Sequence, residues 1–435
     1  MLRRKITDQL LLWKKQDGKK ALIVQGARQV GKTFAIRAFG RANYERVLEI
    51  NFKETPSAAE IFSGDLSIDA LLTAIRFRYP DSPLTPGRTL LFLDEIQECP
   101  EAITSLKFWT LDGRYDVIAS GSLLGIDCKQ PSSYPVGYVE HLRMTGLDFE
   151  EYLWSRSFDA ESVRFLRDCF QRRVPVPPSV HSEMMKHFRI YMALGGMPEV
   201  IQKYTDTQDF TVADRIQRDL LSGYLFDIAH YAAPDEKIKA EKCYLSLARQ
   251  LLGKENHKFQ YKEIEHGGRA YKYYSSLEWL NRADMTCSSH NVNRVAYELA
   301  DYEIEDNFRI YPTDMSLLMA MRGFELKQQI VENTLTGLTA GGIYESIIAD
   351  QLYKKNLPLH FYRDETHRKE VDFLIERNGR IVPIEVKSGN NVSGSLNQLM
   401  KANSDIPMAY KLANANIGQS DLRVVTIPQY MVMFL

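Results

Sequence analysis

Apolar runs separated by helical stretches dominate the first third of the chain. They are ALIVQ at 21–25, VLEINF at 47–52, TLLFLD at 89–94, YDVIAS at 115–120 and HLRMTGLDF at 141–149. Strands that are apolar on both faces are typical of a parallel sheet, because helices then cover both sides of that sheet. The pattern predicts parallel βα units over residues 21–151.

The first of these runs leads directly into a glycine-containing loop. Residues 26–33 match the pattern GxxxxGK[S/T], and the helical stretch FAIRAF follows them. This order suits phosphate binding, since backbone N–H groups at a helix N-terminus can surround phosphate oxygens. We predict that ATP phosphates bind to the loop residues Gly26, Ala27, Arg28, Gln29, Val30, Gly31, Lys32, Thr33 and the adjoining Phe34.

Four polar side chains have specific expected roles around this loop. Lys32 neutralises the β- and γ-phosphate oxygens, and Thr33 offers its hydroxyl to Mg²⁺. Asp94 and Glu95 end the third apolar run, at the edge where open α/β sheets bind ligands. We predict that Asp94 holds the magnesium ion and that Glu95 polarises the attacking water.

A serine follows the next apolar run, at the same edge of the predicted sheet. The segment is Ser120-Gly121-Ser122, and the Ser120 hydroxyl there can sense a γ-phosphate or orient water in catalysis. The alternative interpretation is an ordinary Ser-Gly turn.

The order of the motifs resembles that of a known family. GARQVGKT, LLFLDE, IASGSLLG, LDFEEYL and GGMPE follow one another as in AAA-family ATPases of the archaeal-ATPase, STAND-related clade. The resemblance extends over the whole chain and implies a helical lid, a winged helix and a C-terminal domain similar to PD-(D/E)XK nucleases. It also implies that Ser120-Gly121-Ser122 is the sensor-1 segment. It supplies no arginine finger, because Gly137-Tyr138 stands where many relatives have Gly-Arg.

The resulting fold prediction is an α/β multidomain protein: a P-loop NTPase with a parallel sheet, a helical lid, a winged helix and a restriction-endonuclease-like α/β domain. The expected parts are an ATPase core at 1–151, a helical lid at 152–232, a winged-helix-like domain at 233–325 and a nuclease-like domain at 326–435. Helical periodicity without a strand-like run supports the lid, and a strand-like ribbon at 286–314 supports the wing.

Basic residues with interleaved tyrosines precede the predicted ribbon. They are Lys258, Lys262, Arg269 and Lys272, with Tyr261, Tyr271, Tyr273 and Tyr274 among them. The resemblance places 269–283 in the recognition position of a winged helix, where such side chains could contact DNA phosphates and bases. The alternative is a solvated lysine face over an apolar core. Because the formal net charge of the chain is −1, any nucleic-acid contact must come from a local patch such as this one.

A hairpin signal near the C-terminus brings acidic residues together. Asn378-Gly379 between alternating apolar runs favours a two-residue type I′ turn. In that register Asp372 lies opposite Glu385, and Glu370 lies opposite Lys387. The alternating apolar residues of both strands then form the core face, so the acids share the other face.

Opposed carboxylates are destabilising unless something neutralises them. A second Mg²⁺ or Mn²⁺ bound by Asp372 and Glu385 would do so, with Glu345 of the preceding helix completing the site. Lys387 would position a water or stabilise a developing phosphorane charge, as the similarity to the PD-(D/E)XK core implies. The alternative is a Glu370–Lys387 ion pair in a nuclease-like domain that has no catalytic activity.

These features together favour an ATP-driven switch or motor whose state controls a DNA-directed, nuclease-like C-terminal domain. The rival is a signalling or scaffold ATPase with an inert nuclease-like domain, in which ATP changes a protein-binding surface. A homo-oligomer or a protein partner fits either interpretation. No stretch has the ~18 uncharged apolar residues of a membrane span. The five cysteines match no zinc or CxxC spacing, which favours a reduced, cytoplasmic protein.

Overall fold

The computed structural model describes residues 2–121, 133–253, 257–364, 369–389, 394–419 and 423–435. Within them the chain divides into two compact units. The first contains residues 3–145 together with 282–284, and the second contains Leu2, residues 146–281 and residues 285–435.

A five-stranded parallel sheet forms the centre of the first unit. Its strands are β1 (Ala21–Gln25), β2 (Arg46–Asn51), β3 (Thr89–Asp94), β4 (Asp116–Gly121) and β5 (Val139–Arg143), in the spatial order β2-β3-β4-β1-β5. The predicted parallel α/β sheet is confirmed. The fifth strand begins and ends earlier than the apolar run at 141–149 indicated.

Helices cover the sheet of the first unit. They are α1 (Ile6–Lys14), α2 (Lys32–Asn43), α3 (Ile68–Arg78) and α4 (Pro100–Asp112), with short 3-10 helices at Pro56–Phe62 and Ile96–Glu98. Helix α2 packs closely on the sheet, since a Cβ at Gly40 would lie only 2.7 Å from the Val47 side chain. Trp109 of α4 is 1% exposed and packs with the apolar side chains of β3 and β4 in one core.

Helices also make up most of the second unit. They are α5 (Phe149–Ser155), α6 (Ala160–Arg172), α7 (Pro178–Leu194), α8 (Pro198–Thr207), α9 (Phe210–Tyr231), α10 (Lys237–Leu252), α11 (Ala270–Arg282), α12 (Met315–Ala320), α13 (Phe324–Glu332), α14 (Gly337–Tyr353) and α15 (Gly394–Ala402). Short 3-10 helices lie at Tyr261–Glu263, Leu299–Tyr302 and Gln429–Phe434. The helical stretch expected after residue 151 is present.

Two of the sequence motifs are explained by helix termini in the second unit. In LDFEEYL, the Asp148 side chain accepts a hydrogen bond from the Glu151 N–H at 2.9 Å, and the Glu151 side chain caps the Asp148 N–H at 3.1 Å. In GGMPE, Gly195 has a φ of 71°, and a Cβ there would lie 2.0 Å from the Ser316 nitrogen. Glycine is therefore required for the close approach between this turn and the start of α12.

An eight-stranded mixed sheet completes the second unit. Its strands are β6 (Thr286–Val292), β7 (Glu303–Pro312), β8 (Leu359–Arg363), β9 (Glu370–Arg377), β10 (Arg380–Val386), β11 (Ala409–Ala413), β12 (Gly418–Gln419) and β13 (Val424–Pro428), in the order β12-β13-β11-β10-β9-β8-β6-β7. The β6–β7 ribbon, expected in a separate winged-helix domain, instead pairs in parallel with β8. The boundary expected at 325/326 therefore separates strands that belong to one sheet.

The hairpin between β9 and β10 has the predicted register. The pairing runs from Arg377 with Arg380 to Phe373 with Ile384, and its continuation by one residue sets Asp372 opposite Glu385. Asn378 and Gly379 have φ values of 51° and 71°, as a type I′ turn requires.

The cysteines that the structure describes are Cys99, Cys169, Cys243 and Cys287, all buried and free of disulfides, while Cys128 lies outside the described residues. Among those residues, no helix combines the length and the apolar character that crossing a membrane requires.

Candidate nucleotide site

The loop between β1 and α2 has the backbone geometry that phosphate binding needs. Gly31, which precedes the first residue of α2, has a φ of 94°, and Gln29 has a φ of 63°. A Cβ on Gly26 would lie 2.0 Å from the Met144 carbonyl oxygen. Glycine at 26 therefore permits the contact between the loop and the end of β5, and glycine at 31 permits the turn that starts the helix.

Lys32 lies under this loop and is 8% exposed. Its Nζ donates hydrogen bonds to the carbonyl oxygens of Gly26, at 3.0 Å, and of Ala27, at 2.8 Å. Burial lowers the pKa of Lys32 from 10.5 to about 8, although the nearby carboxylates of Glu95, Asp284 and Asp94 oppose that shift. Burial removes the water that would stabilise the charged amine. A bound anion would stabilise that charge instead, so a buried cation of this kind is suited to binding an anion.

Asp94 connects the loop to the neighbouring strands. The Thr33 hydroxyl donates to Asp94 Oδ1 at 3.2 Å and Oδ2 at 3.0 Å, and the Ser120 hydroxyl donates to Oδ1. Asn51, at the end of β2, donates to Oδ2 at 3.1 Å. Asp94 is 2% exposed, and burial raises its pKa while the hydroxyls of Ser120 and Thr33 act in the opposite direction.

The structure thus brings Thr33, Asp94 and Ser120 into one cluster, as their positions at the sheet edge predicted. The strand order explains this, because β4 lies between β3 and β1 and so places Ser120 beside both the loop and Asp94. Ser122 lies outside the described residues.

Glu95 follows directly in a left-handed conformation, with a φ of 53°. Its Oε2 accepts a hydrogen bond from Gln97 Nε2 at 2.5 Å, within the same short 3-10 turn. The two adjacent carboxylates therefore have different partners: Glu95 accepts from Gln97, and Asp94 accepts from Thr33.

The oxygen atoms of this cluster fit a magnesium ion. The Thr33 hydroxyl and the Asp94 carboxylate are hard oxygen donors within hydrogen-bonding distance of each other, and Mg²⁺ is usually held by one or two such groups together with substrate phosphates.

Two residues at this site were missed by the sequence reasoning. Asn51 ends the VLEINF run, so its position at the sheet edge was a signal that could have found it. Asp284 had no such signal: its Oδ2 accepts a hydrogen bond from the Ala27 N–H at 3.1 Å across 257 positions of sequence. Its Oδ1 forms an ion pair with Arg143, the last residue of β5.

The C-terminal carboxylates lie near one another, in the predicted strand register but with other ion-pair partners than the Glu370–Lys387 pair. The Val386 N–H donates to Asp372 Oδ2 at 2.7 Å, and Lys387 Nζ lies 2.6 Å from Glu385 Oε1. The other oxygen of Glu385, Oε2, is buried without a hydrogen-bond partner. Lys387 thus pairs with Glu385, whereas the expected alternative paired it with Glu370; Glu370 instead contacts Arg309 and Arg363.

Glu345 is held by cationic and hydroxyl partners. Arg309 Nη1 lies 2.8 Å from Glu345 Oε1, His257 Nδ1 lies 2.5 Å from Oε2, and the Tyr311 hydroxyl donates to Oε1. Arg309 is itself 1% exposed. Across the described parts of the chain, no three His, Cys, Asp or Glu side chains are grouped so that they could hold a metal ion. Arg309 already compensates the charge of Glu345, and the three-carboxylate metal site of Glu345, Asp372 and Glu385 stays a prediction.

Residues 18–153 match a family model described as an AAA domain. This part of the chain is similar to AAA domains. The loop at 26–33, Asp94, Glu95 and Ser120 all lie within the matched residues. Two further family models, described as domains of unknown function, match residues 185–328 (DUF8612) and 340–430 (DUF4143). No curated protein matches the chain.

The similarity of the chain to solved structures is low. The replication initiator DnaA bound to AMPPCP and single-stranded DNA has a TM-score of 0.31 and 14% identity, covering 65% of this chain and 86% of that one. The Aeropyrum pernix ORC1 protein in complex with DNA has a TM-score of 0.28 and 12% identity, covering 76% and 93%. Cdc6p from Pyrobaculum aerophilum has a TM-score of 0.25 and 14% identity, covering 76% and 94%. At such scores, the similarity to AAA domains rests on the family match at residues 18–153.

Proposed function

We propose that this chain binds ATP with magnesium at its AAA domain and hydrolyses it. The observation that supports this most directly is the convergence of Lys32, Thr33, Asp94 and Ser120 around one loop. Lys32 would neutralise phosphate oxygens, and Thr33 and Asp94 would hold Mg²⁺, which spreads the charge that develops on the phosphates.

Glu95 is the residue that we assign to the attacking water. Its carboxylate is positioned by Gln97 and is not used in the Thr33–Asp94 contact, so it is available as a hydrogen-bond acceptor for water. The Ser120 hydroxyl donates to Asp94 Oδ1, and we assign it a positioning role as well as the sensing of the terminal phosphate.

Phosphate release by the full chain tests this proposal. We expect Mg-ATP hydrolysis that disappears when Lys32 is changed to Ala and when the metal is chelated. Equal activity in the wild type and in Lys32→Ala would show that the activity comes from another site or from a contaminating enzyme.

The lowered pKa of Lys32 gives a pH prediction. Phosphate binding favours the charged amine, so ATP binding should take up a proton near pH 8. The affinity should fall about tenfold per pH unit above that point, where the free lysine loses its proton. Calorimetric titration in buffers of different ionisation enthalpy measures the uptake directly, and Lys32→Arg, which stays charged, serves as the control. Affinity that is constant from pH 7 to 10 would contradict the assignment.

A DNA-directed role for the second unit is a second candidate, and exposed basic and aromatic side chains favour it. Lys262 and Arg269 are exposed, and Tyr271 is 84% exposed at the start of α11. Lys272, by contrast, pairs with Glu265, and Tyr273 is buried, so only part of the predicted patch faces solvent. The Arg309–Glu345 pair favours DNA binding or a protein-directed switch over nuclease chemistry.

The salt dependence of DNA binding tests this second candidate. If Lys262 and Arg269 contact phosphates, replacing both by Ala should reduce the slope of log K against log salt by about 1.8, because each contact contributes about 0.9. Lys203→Ala, an exposed lysine of α8, is the control and should leave the slope unchanged. Fluorescence anisotropy with duplex DNA gives the slopes. Identical slopes for the double variant and the wild type would exclude this patch as the DNA contact.

A further inference from the structure

Asp284 is a buried carboxylate beside the nucleotide loop to which the proposed chemistry gives no role. It is 2% exposed, has a φ of 60°, and accepts a hydrogen bond from the Ala27 N–H. Its negative charge also acts on Lys32, where it raises the pKa of the amine against the effect of burial. Asp284 therefore combines an uncommon backbone conformation with a negative charge beside a loop proposed to bind an anion. Backbone strain of this kind is often found at functional sites, which points to a role for Asp284 at that loop.

The charge of Asp284 is opposed by Arg143. The guanidinium of Arg143, with a side chain 25% exposed, pairs with Asp284 Oδ1. Burial raises the pKa of Asp284 even though Arg143, the Ala27 N–H and Lys32 all stabilise its charged form. The carboxylate therefore lies in a site that disfavours its charge, next to the loop where the anionic substrate of the proposed reaction would bind.

We propose that Asp284 and Arg143 set the affinity of the loop for nucleotide, with Asp284 lowering it by repelling the phosphates and Arg143 limiting that repulsion. This inference rests on the proposed ATP binding at the same loop. Asp284 accepts a hydrogen bond from the backbone of the loop itself, and Coulomb repulsion acts over several ångströms in a buried site, so its charge changes phosphate binding there. Asp284 is then an affinity-determining residue of the nucleotide site that lies far outside the residues 18–153 that match the AAA domain model.

A structural role for the same pair gives the opposite expectation. If Asp284 served only to hold the loop through Ala27, removing its charge would leave nucleotide binding unchanged or weaken it, and neither variant of the pair would tighten it. Asn at position 284 separates the two explanations, because an amide oxygen can still accept the Ala27 hydrogen bond but carries no charge.

The experiment is a titration of the full chain with a fluorescent, non-hydrolysable ATP analogue and Mg²⁺. We expect Asp284→Asn to tighten binding at least ~10-fold and Arg143→Gln to weaken it by a similar factor. The double variant should return to within about threefold of the wild type, because the charges cancel in the same way as in the native pair. Asp81→Asn, which removes an exposed charge of the first unit, is the matched control and should have no effect.

Binding to Asp284→Asn that is unchanged or weaker overturns the inference, provided that the variant unfolds at the same temperature as the wild type. Lys32→Ala distinguishes this failure from failure of the proposed function. If the wild type binds and Lys32→Ala does not, the site is established and Asp284→Asn alone decides the inference. If neither the wild type nor Asp284→Asn binds, the proposed function fails and the inference fails with it.

Discussion

Glu95→Gln is expected to keep ATP binding and to cut turnover by at least ~10²-fold. The amide keeps the size and the Gln97 contact of the native side chain, but it cannot polarise water as a carboxylate does. Asp94 and Thr33 are unchanged in the variant, so magnesium and phosphate binding should remain. The measurement is single-turnover hydrolysis of ATP together with an equilibrium titration, which separates the chemical step from binding.

Two matched variants control this result. Lys32→Ala should lose tight binding itself, so its inactivity has a different cause from that of Glu95→Gln. Glu98→Gln makes the same chemical change within the same 3-10 turn and should leave turnover close to that of the wild type. If Glu95→Gln hydrolyses ATP as fast as the wild type, Glu95 does not position the water, and another carboxylate must be sought.

The parts of the structure that follow from local sequence were predictable. The apolar runs gave β1 to β4 within a few residues, because a strand buried on both faces has to be apolar throughout. The loop at 26–33 was predictable because its glycines and Lys32 act within one short segment. The Asn378-Gly379 turn fixed the register of β9 and β10, and with it the positions of Asp372 and Glu385.

The parts that depend on distant residues were not predictable in this way. Asp284 contacts the loop across 257 positions, and nothing in its neighbourhood marks it. The Asn291 side chain of β6 donates a hydrogen bond to the Arg363 carbonyl of β8 across 72 positions. The parallel pairing of β6 with β8 makes the β6–β7 ribbon part of the larger sheet. Arg309 was overlooked for the same reason, since only the folded sheet of β7, β6 and β8 brings it to the carboxylates. Hydrophobic periodicity carries no information about which strands are neighbours.

Arg309 should be essential for the stability of the second unit. It lies 2.8 Å from Glu345, pairs with Glu370 and is almost fully buried. Arg309→Met leaves these carboxylates without that cation, and breaking a buried ion pair in this way costs about 3–5 kcal/mol. Urea denaturation followed by tryptophan fluorescence and circular dichroism measures the loss. The matched variant Arg309→Met/Glu345→Gln removes one of the stranded charges as well and should recover part of it.

Asp372→Asn should change the stability in the opposite direction to Arg309→Met, because it removes a buried negative charge instead of the cation that compensates such charges. Burial raises the pKa of Asp372 well above 3.8, and the charges of Glu385 and Glu345 raise it further. A carboxyl group with a raised pKa in the folded state stabilises that state at low pH, and the contribution is lost as the pH rises through the folded-state pKa. At neutral pH, Asn should therefore make the full chain more stable than the wild type, and the stability should vary less with pH.

Manganese provides the decisive comparison for the same cluster. The 326–435 segment lacks β6 and β7, so the full chain is the correct sample. A divalent ion that bound Asp372 and Glu385 would stabilise the folded state by about 2.7 kcal/mol at a hundredfold excess over its Kd. Because Arg309 already neutralises Glu345, we expect manganese to leave the melting of the wild type unchanged. A clear manganese-dependent rise in melting temperature that Asp372→Asn abolishes would show instead that the cluster binds metal, as the nuclease-site prediction requires.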